Sequence, residues 1–205
     1  PRLPVGKVRI GGFGGVDGLK KALFNYDLVI DATHPFALGM SANAEVACHA
    51  ASVRLLRLER PGWELRPEWQ LVSTHVEAAA AAATWTKPFL TVGRTELAQF
   101  VPALGAHPVI ARVVDRPALE IPAPWQILTS RGPYRLEGEL ALMHSSGVDV
   151  IVTKNSGGTF TWPKMQAAAQ LGIAVVVVQR PAGSLAVPTV EDAVAAAAWV
   201  HGIDG

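Results

Sequence analysis

Two stretches end an apolar run in residues suited to chemistry. "GVDVIVTKNSGGTFTWPK", residues 147–164, passes from aliphatic residues into Lys154, Asn155, Ser156, Gly157 and Gly158, and "YDLVIDATHPFA", residues 26–37, closes with Asp31, Thr33, His34 and Pro35. Lysine and serine donate to an anion, and neighbouring glycines allow a backbone to come close. A histidine held between a strand end and a proline is well placed to orient a substrate or pass a proton. The structural alternatives are a helix-capping loop for Asn155 and Ser156 and a packed strand-end histidine for His34. A third stretch, "VRIGGFGGVDGL" at 8–19, sets Gly11, Gly12, Gly14 and Gly15 around Phe13, between a short strand and a helix. Backbone N–H groups there can meet an anion at a helix start. The spacing fails G-x-G-x-x-G, because Asp17 holds the last glycine position counted from Gly12, and it fails G-x-x-x-x-G-K-[ST] as well. A tight, flexible turn is therefore nearly as good a reading.

Other chemistries find little support. "KNSGG" lacks the glycine two residues ahead of the serine that a nucleophile elbow needs. Glu137 and Glu139 would point apart on one helix, which does not suit paired-carboxylate glycoside hydrolysis. Neither Tyr26 nor Tyr134 is followed four residues on by lysine, which disfavours a short-chain dehydrogenase. The six histidines show no metal-ligand spacing, so no metal is expected, and the single cysteine, Cys48, reads as a small core residue. A formal net charge of +1, from 18 Lys+Arg against 17 Asp+Glu, argues against a nucleic-acid surface. The basic residues gather instead near strand ends, a distribution that suits an anionic small molecule.

The elements that must position these residues follow from periodicity. Short aliphatic runs alternate with amphipathic or alanine-rich stretches, the pattern of βαβ units and parallel sheets in an α/β protein. Strands are expected near 8–10, 28–30, 53–58 and 70–72, then 89–92, 109–114, 126–129, 148–153 and 174–178. Thr161 and Thr189 are the expected caps of the last two helices. "TWTKP", residues 84–88, reads as the junction between a first domain, 1–84, and a second, 85–205. No apolar run approaches the roughly 20 residues of a membrane-spanning helix, and no basic-then-apolar leader precedes Val5. A cytoplasmic location, with no membrane or nucleic-acid partner and a monomer or weak dimer, is the expectation.

"GGFGG" at 11–15, "DATHPFA" at 31–37, "RLERPGW" at 57–63, "VGR" at 92–94, "RGPY" at 131–134, "TKNSGG" at 153–158, Lys164 and "RP" at 180–181 occur in the order found in one family. Together they resemble the precorrin-6A reductases of cobalamin biosynthesis. The resemblance implies two Rossmann-like domains with a substrate cleft between them, and NADPH-dependent reduction of one double bond of a tetrapyrrole rimmed with acetate and propionate groups. In such reductases a strand and a G-G-T-x-E-type loop precede "GGFGG", so a first sheet short of one strand is expected here. On this reading Gly11, Gly12, Phe13, Gly14, Gly15 and Thr33 hold the cofactor, and His34 acts in catalysis. Arg131, Lys154, Ser156, Gly157, Gly158 and Lys164 contact the substrate, chiefly its carboxylates. The plain alternatives are a surface turn for Arg131, a loop charge for Lys154 and a solvated helix position for Lys164. A cobalt-containing substrate, or a non-catalytic nucleotide-binding Rossmann module, are the alternative functions.

Overall fold

A computed structural model describes residues 5–181 and 187–202. In chain order the helices and strands are α1 (Gly15–Ala22), β1 (Leu28–Asp31), α2 (Leu38–Ala51), β2 (Arg54–Leu58), β3 (Gln70–Val72), α3 (His75–Ala82), β4 (Pro88–Thr91), α4 (Val101–Leu104) and β5 (Ile110–Val113). They continue with β6 (Gln126–Thr129), α5 (Leu136–Ser145), β7 (Val150–Lys154), α6 (Pro163–Leu171), β8 (Ala174–Val178), β9 (Thr189–Val190) and α7 (Ala193–His201). Two compact units divide the chain: Pro1–Arg60 with Gly183–Gly205, and Pro61–Ala182.

The first unit carries a parallel sheet in the order β1-β2-β9. Leu19 and Leu23 meet Ala44, Ala47 and Cys48 of α2 and Leu55 of β2 in its core. Cys48 is 2% exposed, a small core residue as expected. The strand expected at 8–10 does not form. Val8 and Ile10 are exposed, and no strand among the described residues pairs with them. The related expectation about the very start of the chain touches residues 1–4, which lie outside the described residues. Thr189 is not a helix cap, because Thr189 and Val190 pair with Arg57 and Leu58. The helix starts later, where the Asp192 carboxylate accepts from the Ala195 N–H at 2.8 Å.

The second unit is a six-stranded, all-parallel sheet in the order β3-β8-β7-β4-β5-β6. Its central strands β4, β7 and β8 are largely apolar because they are covered on both faces, and Phe89, Ile110, Ile151 and Val177 are fully buried. β3 pairs with β8 through Gln70↔Val176. That pairing puts β3 and α3 in this unit, whereas the sequence reading places them in a first domain ending at residue 84. The 84–88 stretch is a tight turn within the unit, where the Asp149 carboxylate accepts from Thr86 N (2.7 Å) and Lys87 N (2.8 Å). Thr161 does not cap α6 either. Trp162 occupies the cap position with helical backbone angles, and the Thr161 hydroxyl lies 3.5 Å from that of Ser156. No helix among the described residues is long and apolar enough to cross a membrane.

Candidate active site

The second sheet has a topological switch beside β4. β5 and β6 extend to one side of it, β7 and β8 to the other, so a crevice opens beyond the carboxyl ends of β4 and β7. A recess of about 140 Å³ lies at this edge, lined by Thr91, Gly93, Arg112, Ser130, Tyr134 and Lys164 among others. Arg112 is buried and forms a two-pronged ion pair with Glu139, both contacts at 2.8 Å. Its guanidinium also sits over the rings of Phe89 (4.7 Å) and Tyr134 (4.2 Å). Its charge is thus matched by Glu139.

Lys164 is different. α6 carries it into the interior, where it is 5% exposed, so the solvated helix position considered for it does not hold. Its ammonium faces the Trp63 ring at 5.4 Å and has no carboxylate partner among the described residues. Burial, and next the Arg112 charge, pull its pKa down from 10.5 to about 7; Glu139 opposes this and Lys154 adds to it. Lys154, at the end of β7, lies 3.5 Å from the Glu96 carboxylate. Burial lowers its pKa, with Glu96 working against the shift.

The "TKNSGG" loop is held from two sides. The Asn155 side chain accepts from Trp63 N at 2.7 Å, and the Trp63 indole donates to the Gly158 carbonyl at 2.8 Å. Arg180 donates to the carbonyls of Asn155 (2.9 Å) and Ser156 (3.3 Å). Gly157, at φ 65°, makes its close approach to protein: a Cβ there would lie 2.0 Å from the Pro61 carbonyl. Ser156 is nearly buried beneath this arrangement. Arg131 follows the recess residue Ser130 but is exposed and makes no ion pair among the described residues.

In the first unit "DATHPFA" forms the turn between β1 and α2. The Thr33 hydroxyl donates to Asp31 (2.7 Å) and accepts from Arg57 (3.1 Å), which also pairs with Asp31 at 2.7 Å and donates to Ser41 at 3.0 Å. Burial pushes the Asp31 carboxyl up, but hydrogen bonds from Ser41 and Thr33 and the Arg57 charge outweigh it and hold the pKa below its ordinary value. Thr33 also borders a recess of about 180 Å³ with Pro35, Glu59, Arg60 and Asp192. His34 does not line that recess; its Nδ1 accepts from Phe36 N at 3.3 Å and its ring lies 5.7 Å from that of Phe36. In "GGFGG", Gly11, Gly14 and Gly15 have positive φ, and Gly14 caps α1 without any side-chain hydrogen bond. Added Cβ atoms at Gly11, Gly12, Gly14 and Gly15 would meet nothing within 4 Å. Gly18 is the tight one, since its Cβ would fall 1.6 Å from the Phe13 carbonyl. Arg9 stacks on Phe13 at 4.9 Å and donates to the Gly12 carbonyl at 3.1 Å.

Sequence reasoning assigned no role to Arg112, Glu139, Tyr134, Trp63 or Arg9. Trp63 and Tyr134 belong to the quoted motifs "RLERPGW" and "RGPY", and Arg112 interrupts the aliphatic run 109–114, so a signal was present for these three. Nothing in the sequence couples Glu139 to Arg112.

A protein-family model described as Precorrin-6x reductase CbiJ/CobK matches residues 1–201. A Precorrin-6A reductase of Rhodococcus erythropolis is 42% identical over 205 residues, covering 98% of this chain and 82% of that protein. A Cobalt-precorrin-6A reductase of Methanocaldococcus jannaschii is 35% identical over 164 residues, covering 77% of this chain and 66% of that protein. Among solved structures, a CobK precorrin-6A reductase superposes with a TM-score of 0.80 at 35% identity, over 95% of this chain and 81% of that one.

Proposed function

The chain belongs to the precorrin-6x reductase CbiJ/CobK family and is an oxidoreductase, and from that premise we propose that it reduces one double bond of precorrin-6A to precorrin-6B with NADPH. The observation that carries the substrate side is the recess beyond β4, β5 and β6, lined by Arg112, Lys164 and the hydroxyl-bearing Thr91, Ser130, Tyr134 and Thr161. A tetrapyrrole rimmed with acetates and propionates offers acceptors that suit this basic, hydroxyl-rich lining. Lys154, Ser156 and the backbone at Gly157 and Gly158 continue the same edge, and exposed Arg131 stands ready for an outer carboxylate. His34, in the first unit, is proposed to orient the substrate.

A reductase of this family draws on a nicotinamide cofactor, which when bound supplies the hydride. The "GGFGG" loop fits its diphosphate: the first N–H groups of α1 have no side-chain cap, and no side chain crowds the four glycines. Arg9, the cation beside that loop, favours the additional phosphate of NADPH over NADH. Thr33 has its hydroxyl engaged by Asp31 and Arg57, so its share in cofactor binding would be to shape the turn.

Purified protein mixed with precorrin-6A and NADPH should lose the reduced-nicotinamide absorbance in step with formation of the dihydro product. No absorbance change with precorrin-6A, metal-free or cobalt-loaded, would overturn the reading. The cobalt-containing substrate is the second reading, supported by the similarity to the Methanocaldococcus jannaschii protein. Turnover with the cobalt form alone would select it.

A further inference from the structure

We propose that Lys164 is the proton donor of this reduction, its ε-ammonium protonating the ring carbon next to the one that receives the hydride. The inference rests on the functional reading above. Reducing a C=C bond to CH–CH takes one hydride and one proton. The hydride forms the first new C–H bond, and the displaced π electron pair takes the proton and forms the second. Lys164 is left as a neutral amine and regains its proton from solvent once product departs; the nicotinamide is oxidised by two electrons and the macrocycle reduced by two.

Besides the Thr91, Ser130 and Thr161 hydroxyls, too weakly acidic to serve, Arg112, Tyr134, Lys154 and Lys164 carry protons at or near the recess, and three of these four are unsuited to releasing one. The Arg112 guanidinium, from β5, stays protonated at any working pH and is locked to Glu139 of α5. Tyr134 donates its hydroxyl proton to the Ser130 carbonyl at 3.1 Å. Lys154, at the end of β7, is 3.5 Å from Glu96, a carboxylate that favours its charged form. Lys164 lines the recess with no ion pair among the described residues, held against the Trp63 ring. Arg112 and Lys154 disfavour its ammonium, Glu139 favours it, and burial exceeds all three, which brings its pKa to about 7, close to the working pH that suits a general acid.

The test uses the full chain with precorrin-6A and NADPH. Lys164→Arg keeps the positive charge but cannot yield a proton. It should lower kcat about 100-fold to 1,000-fold, leave KM for precorrin-6A within about threefold, and abolish the fall of kcat above neutral pH seen in the parent. Lys164→Ala should regain turnover with added alkylammonium ions, in the order of their acidity. Lys164→Arg turning over within about threefold of the parent with an unmoved pH profile would overturn the proposal, as would loss of the alkaline limb in His34→Ala instead. An independent readout needs neither variant nor turnover: NMR titration of the Lys164 Cε and Nζ signals in the ligand-free protein should give a midpoint near neutrality. A midpoint above about 9 would overturn it. If the parent protein consumes no NADPH with precorrin-6A, the functional reading fails, whereas failure in the variants alone removes only Lys164 from the chemistry.

Discussion

Two buried ions, Lys164 and Asp31, set opposite pH signatures. A lysine whose pKa falls on folding makes the folded state bind fewer protons than the unfolded chain, so its cost is full at acid pH and is relieved as pH rises. Lys164→Met should therefore stabilise the ligand-free protein, by on the order of 2–4 kcal/mol at pH 6, with the gain shrinking as pH climbs from about 7 toward 10.5. Urea unfolding at a series of pH values measures it; a gain that grew with pH would refute it. Asp31 runs the other way, its depressed pKa contributing stability above the ordinary carboxylate range that is lost as pH falls. Asp31→Asn takes from buried Arg57 the nearer of its two carboxylate partners, leaving Glu59 at 3.1 Å, and should cost about 2 kcal/mol at pH 7. The same unfolding series should show the gap to the parent closing as the medium becomes acid enough to protonate the carboxyl.

Among the elements, the loop after β7 owes its shape to its neighbours. Asn155 and Trp63 clasp it from one side, Arg180 from the other, and Gly157 passes so near Pro61 that no side chain fits. Gly157→Ala meets both a positive φ and a carbonyl, and should cost roughly 2 kcal/mol or more in stability. Its amide exchange should quicken at residues 155–158 before it does in β7 or β8; protection equal to the parent would show that the loop has room to spare. The same clasp joins Pro61 and Trp63 of "RLERPGW", the "TKNSGG" loop and Arg180 of "RP", segments far apart in sequence, at one sheet edge.

For the whole molecule, the division into units follows the pairing of strands. The second unit is one continuous stretch, but the first takes β9 and α7 from the far end of the chain. Ending the chain at residue 182 should expose β2 and loosen the first unit while Phe89, Ile151 and Val177 of the second keep their protection. Limited proteolysis checks this, and equal loss in both units would contradict it. Periodicity alone was enough for an α/β protein with parallel sheets and for most strand positions, including 70–72, 126–129 and 174–178, because alternation of buried runs with helix-forming stretches is local information. Motif order was enough for the family. The partners of those strands were not legible: β3 reads as a first-domain strand until it pairs with β8, and Val8 to Ile10 reads as a strand although no strand among the described residues pairs with it. Nor was the character of Lys164, which the sequence leaves open between a solvated position and a ligand contact. Whether a residue is buried beside an arginine, stacked on a tryptophan or left without a carboxylate depends on chain segments tens of residues away, and only tertiary packing brings those together.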